Sequence, residues 1–122
     1  MLLLPVLLLT LGCSAGGGAD VVFSRDDAAR KVDVSIDGKY FTSYIYPEDM
    51  EKPVLWPILS ASGQDITRGY PRASRAFEST DHPHHVGLWF NFGSVNGLDF
   101  WNNSFAVPPE RKPSYGSIIF DR

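Results

Sequence analysis

Lys31-Val32-Asp33-Val34-Ser35-Ile36-Asp37-Gly38-Lys39-Tyr40-Phe41-Thr42-Ser43-Tyr44-Ile45-Tyr46 is the stretch that decides the fold class. Val32, Val34 and Ile36 alternate with polar residues, the period of two expected of a half-buried strand. Asp37-Gly38 then supplies a two-residue hairpin turn, because both central positions of a type I′ turn need positive φ. Tyr40 to Tyr46 return as a second strand rich in β-forming residues, and Pro47 ends it. No window of about 12 residues elsewhere carries a helical apolar period. The chain therefore reads as all-β, an antiparallel β-sandwich built from hairpins.

Downstream, Pro53 and Pro57 bracket Val54-Leu55-Trp56, a short edge strand, since proline cannot donate to a ladder. Residues 60–79 form a polar loop containing Gly63, Gly69 and Pro71. A further strand is expected over 84–92, a tight turn at Asn96-Gly97, a strand over 98–101, a Pro-rich loop over 106–114 and a last strand over 118–120. The closing residues read as a strand under way, so further strands are expected beyond Arg122. Upstream, the folded part is expected to begin near Val21.

Met1 to Gly12 hold an apolar run rich in leucine. It is shorter than the roughly 20 residues that span a bilayer as a helix and suits the core of a signal peptide. Thr10-Leu11-Gly12-Cys13 follows, resembling a bacterial lipobox. Residues 1–12 are thus expected to be a signal peptide, Cys13 a lipidation site, and 13–20 a lipidated, Gly-rich tether. The expected setting is extracytoplasmic: periplasmic, or anchored to the outer membrane. Membrane contact is expected only through the lipid. Cys13 is the single cysteine, so its lipidation would leave neither a disulfide nor a thiol nucleophile. A net charge of −3 without any run of Lys or Arg argues against nucleic acid as a partner.

All three histidines fall in Asp81-His82-Pro83-His84-His85. In an extended chain, residues two apart share a side, and Pro83 disfavours the α region at His82. His82 and His84 are therefore expected to converge, with His85 facing the other way. That spacing can offer two imidazoles to a divalent metal, with Asp81 as a further ligand or as an orienting partner. It can equally build a metal-free pocket that binds or moves protons, or stabilise a loop. Arg68 in the preceding loop could hold an anionic group such as a sugar acid. Trp89 and Asn91 could offer a sugar an aromatic platform and an amide, although large aromatics are mostly core and Asn residues mostly form turns.

The run Asp81-His82-Pro83-His84-His85-Val86-Gly87-Leu88-Trp89-Phe90, with Gly93 and Val95-Asn96-Gly97-Leu98-Asp99-Phe100-Trp101, resembles bacterial proteins labelled "methane oxygenase PmoA", also described as a domain of unknown function. Tyr44-Ile45-Tyr46-Pro47, Lys52-Pro53-Val54-Leu55-Trp56-Pro57-Ile58 and Thr67-Arg68 fit the same pattern, so that the resemblance covers roughly residues 35 to 120. It implies that residues 21–122 are the N-terminal part of a larger β-sandwich, akin to the sugar mutarotase supersandwich, from bacteria that degrade polysaccharides. It assigns no catalytic residues. Methane oxidation is not carried over, because the chain has no spanning stretch after its leader.

Three functions follow as expectations. The first is an extracytoplasmic carbohydrate-active or carbohydrate-binding protein, with His82, His84 and Asp81 as catalytic candidates and Arg68, His85, Trp89 and Asn91 as substrate-binding candidates. A mutarotase-like reaction would need a histidine as general acid and a carboxylate as base, the latter expected beyond Arg122. The second is a metal-dependent oxidoreductase or hydrolase with His82 and His84 as ligands. The third is a non-catalytic surface module.

Overall fold

The computed structural model describes residues 17–121. The expected leader and Cys13 lie outside the described residues. The chain is all-β and sandwich-like, with a four-stranded antiparallel sheet, a two-stranded sheet and one short 3-10 segment.

The first sheet runs in sequence order: β1 (Val21–Asp26), β2 (Lys31–Ile36), β3 (Lys39–Ile45) and β4 (Val54–Ile58). The β2–β3 turn forms as its sequence dictates, with Asp37 at φ 51° and Gly38 at φ 74°. Val34 pairs with Thr42 and Ser35 with Tyr40. Phe41 is therefore the extra residue of a β-bulge, which bends the strand and increases its twist. β1 lies where folding was expected to begin, but its residues are all exposed and show no alternation. Its place is fixed by its ladder with β2, from Val21↔Ile36 to Asp26↔Lys31.

β4 is the edge strand, two residues longer than the expected Val54-Leu55-Trp56, and the edge tolerates Pro57. Its outer side meets the histidine segment at one point. Leu55 N–H donates to the Leu88 carbonyl at 2.7 Å, and Leu88 N–H donates to the Leu55 carbonyl at 3.0 Å. The strand expected over 84–92 does not form beyond this bridge. Gly87 interrupts it at φ 54°, and the backbone there runs too close to β4 for any side chain. A Cβ on Gly87 would lie 2.3 Å from the Leu55 carbonyl oxygen.

The second sheet is the hairpin β5 (Ser94–Val95) and β6 (Leu98–Asp99). Its turn, Asn96-Gly97, has φ 53° and 83°, as the residue types require. The strand expected over 98–101 is shorter, because Asp99 turns its carboxylate onto the backbone and side-chain amides of Asn102. A 3-10 segment, η1 (Pro109–Ser114), occupies part of the expected Pro-rich loop. The segment 118–120 is extended but joins no ladder. Instead Ile118 N–H donates to the Glu51 carbonyl at 2.9 Å, and Phe120 stacks on Tyr46 at 4.0 Å between ring centroids.

The core is thin. Tyr46, Val54 and Val86 are its buried apolar residues among those described, and Val86 ties the histidine segment to the sheet. Phe23, Phe77, Phe90, Phe92 and Ile119 lie on the surface. Among the described residues, no helix is long and apolar enough to cross a membrane.

Candidate functional site

The histidine segment is a turn. His85 N–H donates to the His82 carbonyl at 2.9 Å, and His82 sits at φ 48°. This corrects the extended geometry expected there. A following proline disfavours right-handed helical backbone, but His82 escapes into the left-handed basin, which histidine visits more readily than most residues. The His82 and His84 rings do approach, at 5.8 Å between centroids. His85 is not turned away. It stacks on His82 at 5.0 Å and meets His84 edge-on at 4.3 Å.

Two neighbours hold this turn. Asp81 accepts a hydrogen bond from Nδ1 of His82 at 2.8 Å, the orienting role open to it from the sequence. The bonds from Ser79 and His82 keep the Asp81 carboxyl below its usual range. Arg68 spreads its guanidinium over the Ser79 carbonyl at 2.6 Å, the Asp81 carbonyl, and the His82 carbonyl at 3.4 Å. The structure thus gives Arg68 a positioning task. Asn91 is similarly engaged: its Nδ2 donates to the Phe100 carbonyl at 2.7 Å, and its Oδ1 accepts from Phe92 N–H.

Arg68→Ala should cost about 2 kcal/mol, the range for charge-assisted hydrogen bonds to backbone, and should shift the histidine ring signals in NMR. Arg68→Lys should recover little of either, because an ammonium cannot span three carbonyls as the planar fork does. Full recovery in the lysine variant, read by urea denaturation, would contradict this role.

The histidines open onto tryptophans. His85 lies 5.6 Å from Trp89 and 6.1 Å from Trp101, and the two indoles lie 5.7 Å apart. Trp89 Nε1 is buried without a hydrogen-bond partner among the described residues. Beneath this cluster is Lys52, only 4% exposed. Its ammonium sits 4.7 Å from the centre of the Trp89 ring and donates to the Trp101 carbonyl at 3.2 Å. Burial lowers it to about 8, while Asp99 and Glu51 partly oppose the shift. The sequence reading missed Lys52 as a chemical group. Its signals were a lysine one residue ahead of the apolar strand Val54-Leu55-Trp56 and its place in the stretch Lys52 to Ile58 that fits the family pattern.

Lys52 and His84 also line a cavity of about 360 Å³, with Met50, Tyr70, Val86 and Phe105 among its apolar walls. The remaining charges at its rim are paired, Arg72 with Asp49 and Glu51 with Lys112. Burial would raise the Glu51 carboxyl, but hydrogen bonds from Lys112 and Ser117 outweigh it and hold Glu51 low. Asn103 anchors the same wall, its Nδ2 donating to the Gly116 carbonyl at 2.9 Å and its Oδ1 accepting from Lys112 at 3.0 Å.

Burial lowers both His84 and His85, and the neighbouring charges of His82 and Lys52 add to the effect, with Asp99 opposing at His84 and Asp81 at His85. Both rings are therefore neutral near pH 7, each with one donor and one acceptor nitrogen. The unfolded chain takes up these protons first as pH falls through the ordinary histidine value of 6.5. Their contribution to stability is thus complete above 6.5 and is lost below it. Urea denaturation at pH 7 and pH 5.5 should show this fall, and His84→Gln should reduce it; an unchanged slope would count against the buried neutral state.

Among the described residues, no group of three or more His, Cys, Asp or Glu side chains is placed to hold a metal ion. The expected pair His82 and His84 gains no third protein ligand there. Their rings are tilted by 62°, and Nδ1 of His82 is bonded to Asp81.

The fold and site define a β-protein with a histidine–tryptophan cluster beside a half-open pocket. Residues 31–122 match the description "Family of unknown function (DUF6807)", and the chain belongs to that family. The expected label "methane oxygenase PmoA" is thereby corrected: the matched family carries no such label. No curated protein and no solved structure matches the chain.

Proposed function

We propose that the protein binds a small carbohydrate through the pocket at His84, with His85, Trp89 and Trp101 as the aromatic side of the site. The observation that carries this reading is the junction of the two features. The rings of His85, Trp89 and Trp101 lie within about 6 Å of one another, and His84 links them to a 360 Å³ cavity. Small-molecule sites combine this kind of concave, largely apolar wall with a few polar groups, in volumes of roughly 300–1,000 Å³. Indole faces suit the C–H faces of sugar rings, and neutral imidazoles can both donate and accept hydrogen bonds from hydroxyls. A neutral His84 is also suited to proton transfer near pH 7.

Isothermal titration and saturation-transfer NMR over a panel of mono- and disaccharides test the reading. Heat of binding that is lost in Trp89→Ala is expected; no heat and no saturation transfer for any sugar would sink it. The leucine-rich leader and Cys13 support an extracytoplasmic, lipid-anchored setting, in which Cys13→Ser should abolish incorporation of labelled palmitate.

A second reading, a surface module that docks on a partner, draws on Phe90 and Phe92, which are 90% and 68% exposed. Exposed rings of this kind mark interaction surfaces when they are contiguous. Retention of partner binding in Trp89→Ala, with loss in Phe90→Ser, would favour it.

A further inference from the structure

We infer that the ligand of this pocket carries a carboxylate, for which the Lys52 ammonium is the counter-charge. This rests on the small-molecule reading above and specifies its chemistry. Lys52 is almost wholly buried, and a buried ammonium is costly unless its three N–H donors are satisfied and its charge is opposed. Among the described residues it has one hydrogen-bond acceptor, the Trp101 carbonyl, and the Trp89 face. No carboxylate lies within ion-pair distance of it there, whereas the cations around it are paired: Arg72 with Asp49, and Lys112 with Glu51. Asp99 and Glu51 attract Lys52 only from farther away: Glu51 is paired with Lys112, and Asp99 turns its oxygens to the amides of Asn102.

This wall therefore holds a buried ammonium with one hydrogen bond and no direct ion pair among the described residues, beside a cavity that Lys52 itself lines. His84, lining the same cavity, can donate from its neutral ring to the second carboxylate oxygen or to an adjacent hydroxyl. Anions that bind such a site gain most when a charge-assisted bond forms away from water. Burial lowers Lys52 to about 8, so an anion arriving above that pH draws a proton onto the ammonium. A sugar acid meets the requirements of both the ring cluster and the ammonium.

The test is titration of the intact protein with D-glucuronate and D-galacturonate, with D-glucose and D-galactose as neutral counterparts, and with succinate as an acid that is not a sugar. Glucuronate or galacturonate is expected to bind at least 10-fold tighter than its neutral counterpart, with proton uptake at pH 8.5, and Lys52→Met should remove both the preference and the uptake. Neutral sugars binding as tightly as the acids would overturn the carboxylate inference and leave the carbohydrate reading standing. Succinate binding as tightly as the sugar acids would do the reverse. Failure of every compound would overturn both. The comparison of acid with neutral sugar needs only the wild-type protein, so misfolding of the variant does not blunt it.

Discussion

Gly87→Ala should unfold or nearly unfold the histidine segment. Gly87 lies at φ 54°, where a residue with a Cβ costs roughly 1–2 kcal/mol. The larger effect is contact. The new methyl would sit 2.3 Å from the Leu55 carbonyl oxygen and 3.0 Å from Trp56 Cβ, and neither backbone nor Cβ can swing aside. The chain must move away from β4, which breaks both hydrogen bonds between Leu55 and Leu88, at about 1 kcal/mol each. A total above roughly 3 kcal/mol is a large part of the 5–15 kcal/mol that holds a typical domain together. Val86, one of the few buried apolar residues, would leave the core with it. Gly38→Asn is the control: Gly38 also has positive φ, 74°, but a Cβ there meets nothing within 4 Å. Urea denaturation should show a loss under about 1 kcal/mol for that variant, which strain alone sets. Equal losses in the two variants would show that the close approach of the histidine segment to β4 is not what holds it.

Lys52→Met should give a protein that is more stable at neutral pH and no longer prefers acidic ligands over neutral ones. In the unfolded chain Lys52 keeps its ordinary value of 10.5; burial lowers it to about 8 in the folded chain, against the pull of Asp99 and Glu51. Between about 8 and 10.5 the unfolded chain holds more protons, so the stability of the wild type rises with pH across that window. Below about 8 both states are charged, and the folded state bears the full desolvation cost. A displacement of this size corresponds to roughly 3 kcal/mol.

Methionine is unbranched like lysine, one atom shorter, and removes the charge. It also leaves the Trp101 carbonyl without its donor, which offsets part of the gain. A net gain of about 1–2 kcal/mol at pH 7 is expected, in line with replacing buried charge by packed apolar groups, shrinking toward zero by pH 10.5. His84 and His85, also near Lys52, are already neutral in that window and do not contribute to the slope. A destabilised variant at pH 7, or a difference that does not change with pH, would contradict a buried ammonium whose desolvation outweighs the pull of Asp99 and Glu51.

The parts of this structure that the sequence disclosed were local in the chain. Asp37-Gly38 and Asn96-Gly97 each specify a turn through the φ values of two adjacent residues, and both turns form. The alternation of Val32, Val34 and Ile36 needed no partner to be read. β1 escaped because Val21 to Asp26 carries no alternation and buries nothing; its strand character comes from β2. The 84–92 segment misled because its side chains look strand-like while Gly87 brings the backbone up against Leu55.

At the site, the place was legible and the geometry was not. Three histidines in four positions marked the cluster, but the direction of His85 depends on the positive φ of His82 and on the grip of Arg68 on carbonyls up to 14 residues away. Lys52 was hidden for the same reason. Its chemistry is made by a carbonyl 49 residues along the chain and by the face of Trp89, and no local pattern encodes that meeting.

The indole and imidazole N–H signals report most directly on a small-molecule site shared by the tryptophans and His84. The chain has three tryptophans. Trp56 donates internally to the Arg68 carbonyl at 2.9 Å and serves as the reference, while Trp89 Nε1 has no partner among the described residues. Titration of 15N-labelled protein with D-galacturonate should move the Trp89, Trp101 and His84 signals together, along one saturating curve, and leave Trp56 in place. Binding that shifts signals elsewhere while those three stay still would contradict the assignment of this cluster as the site.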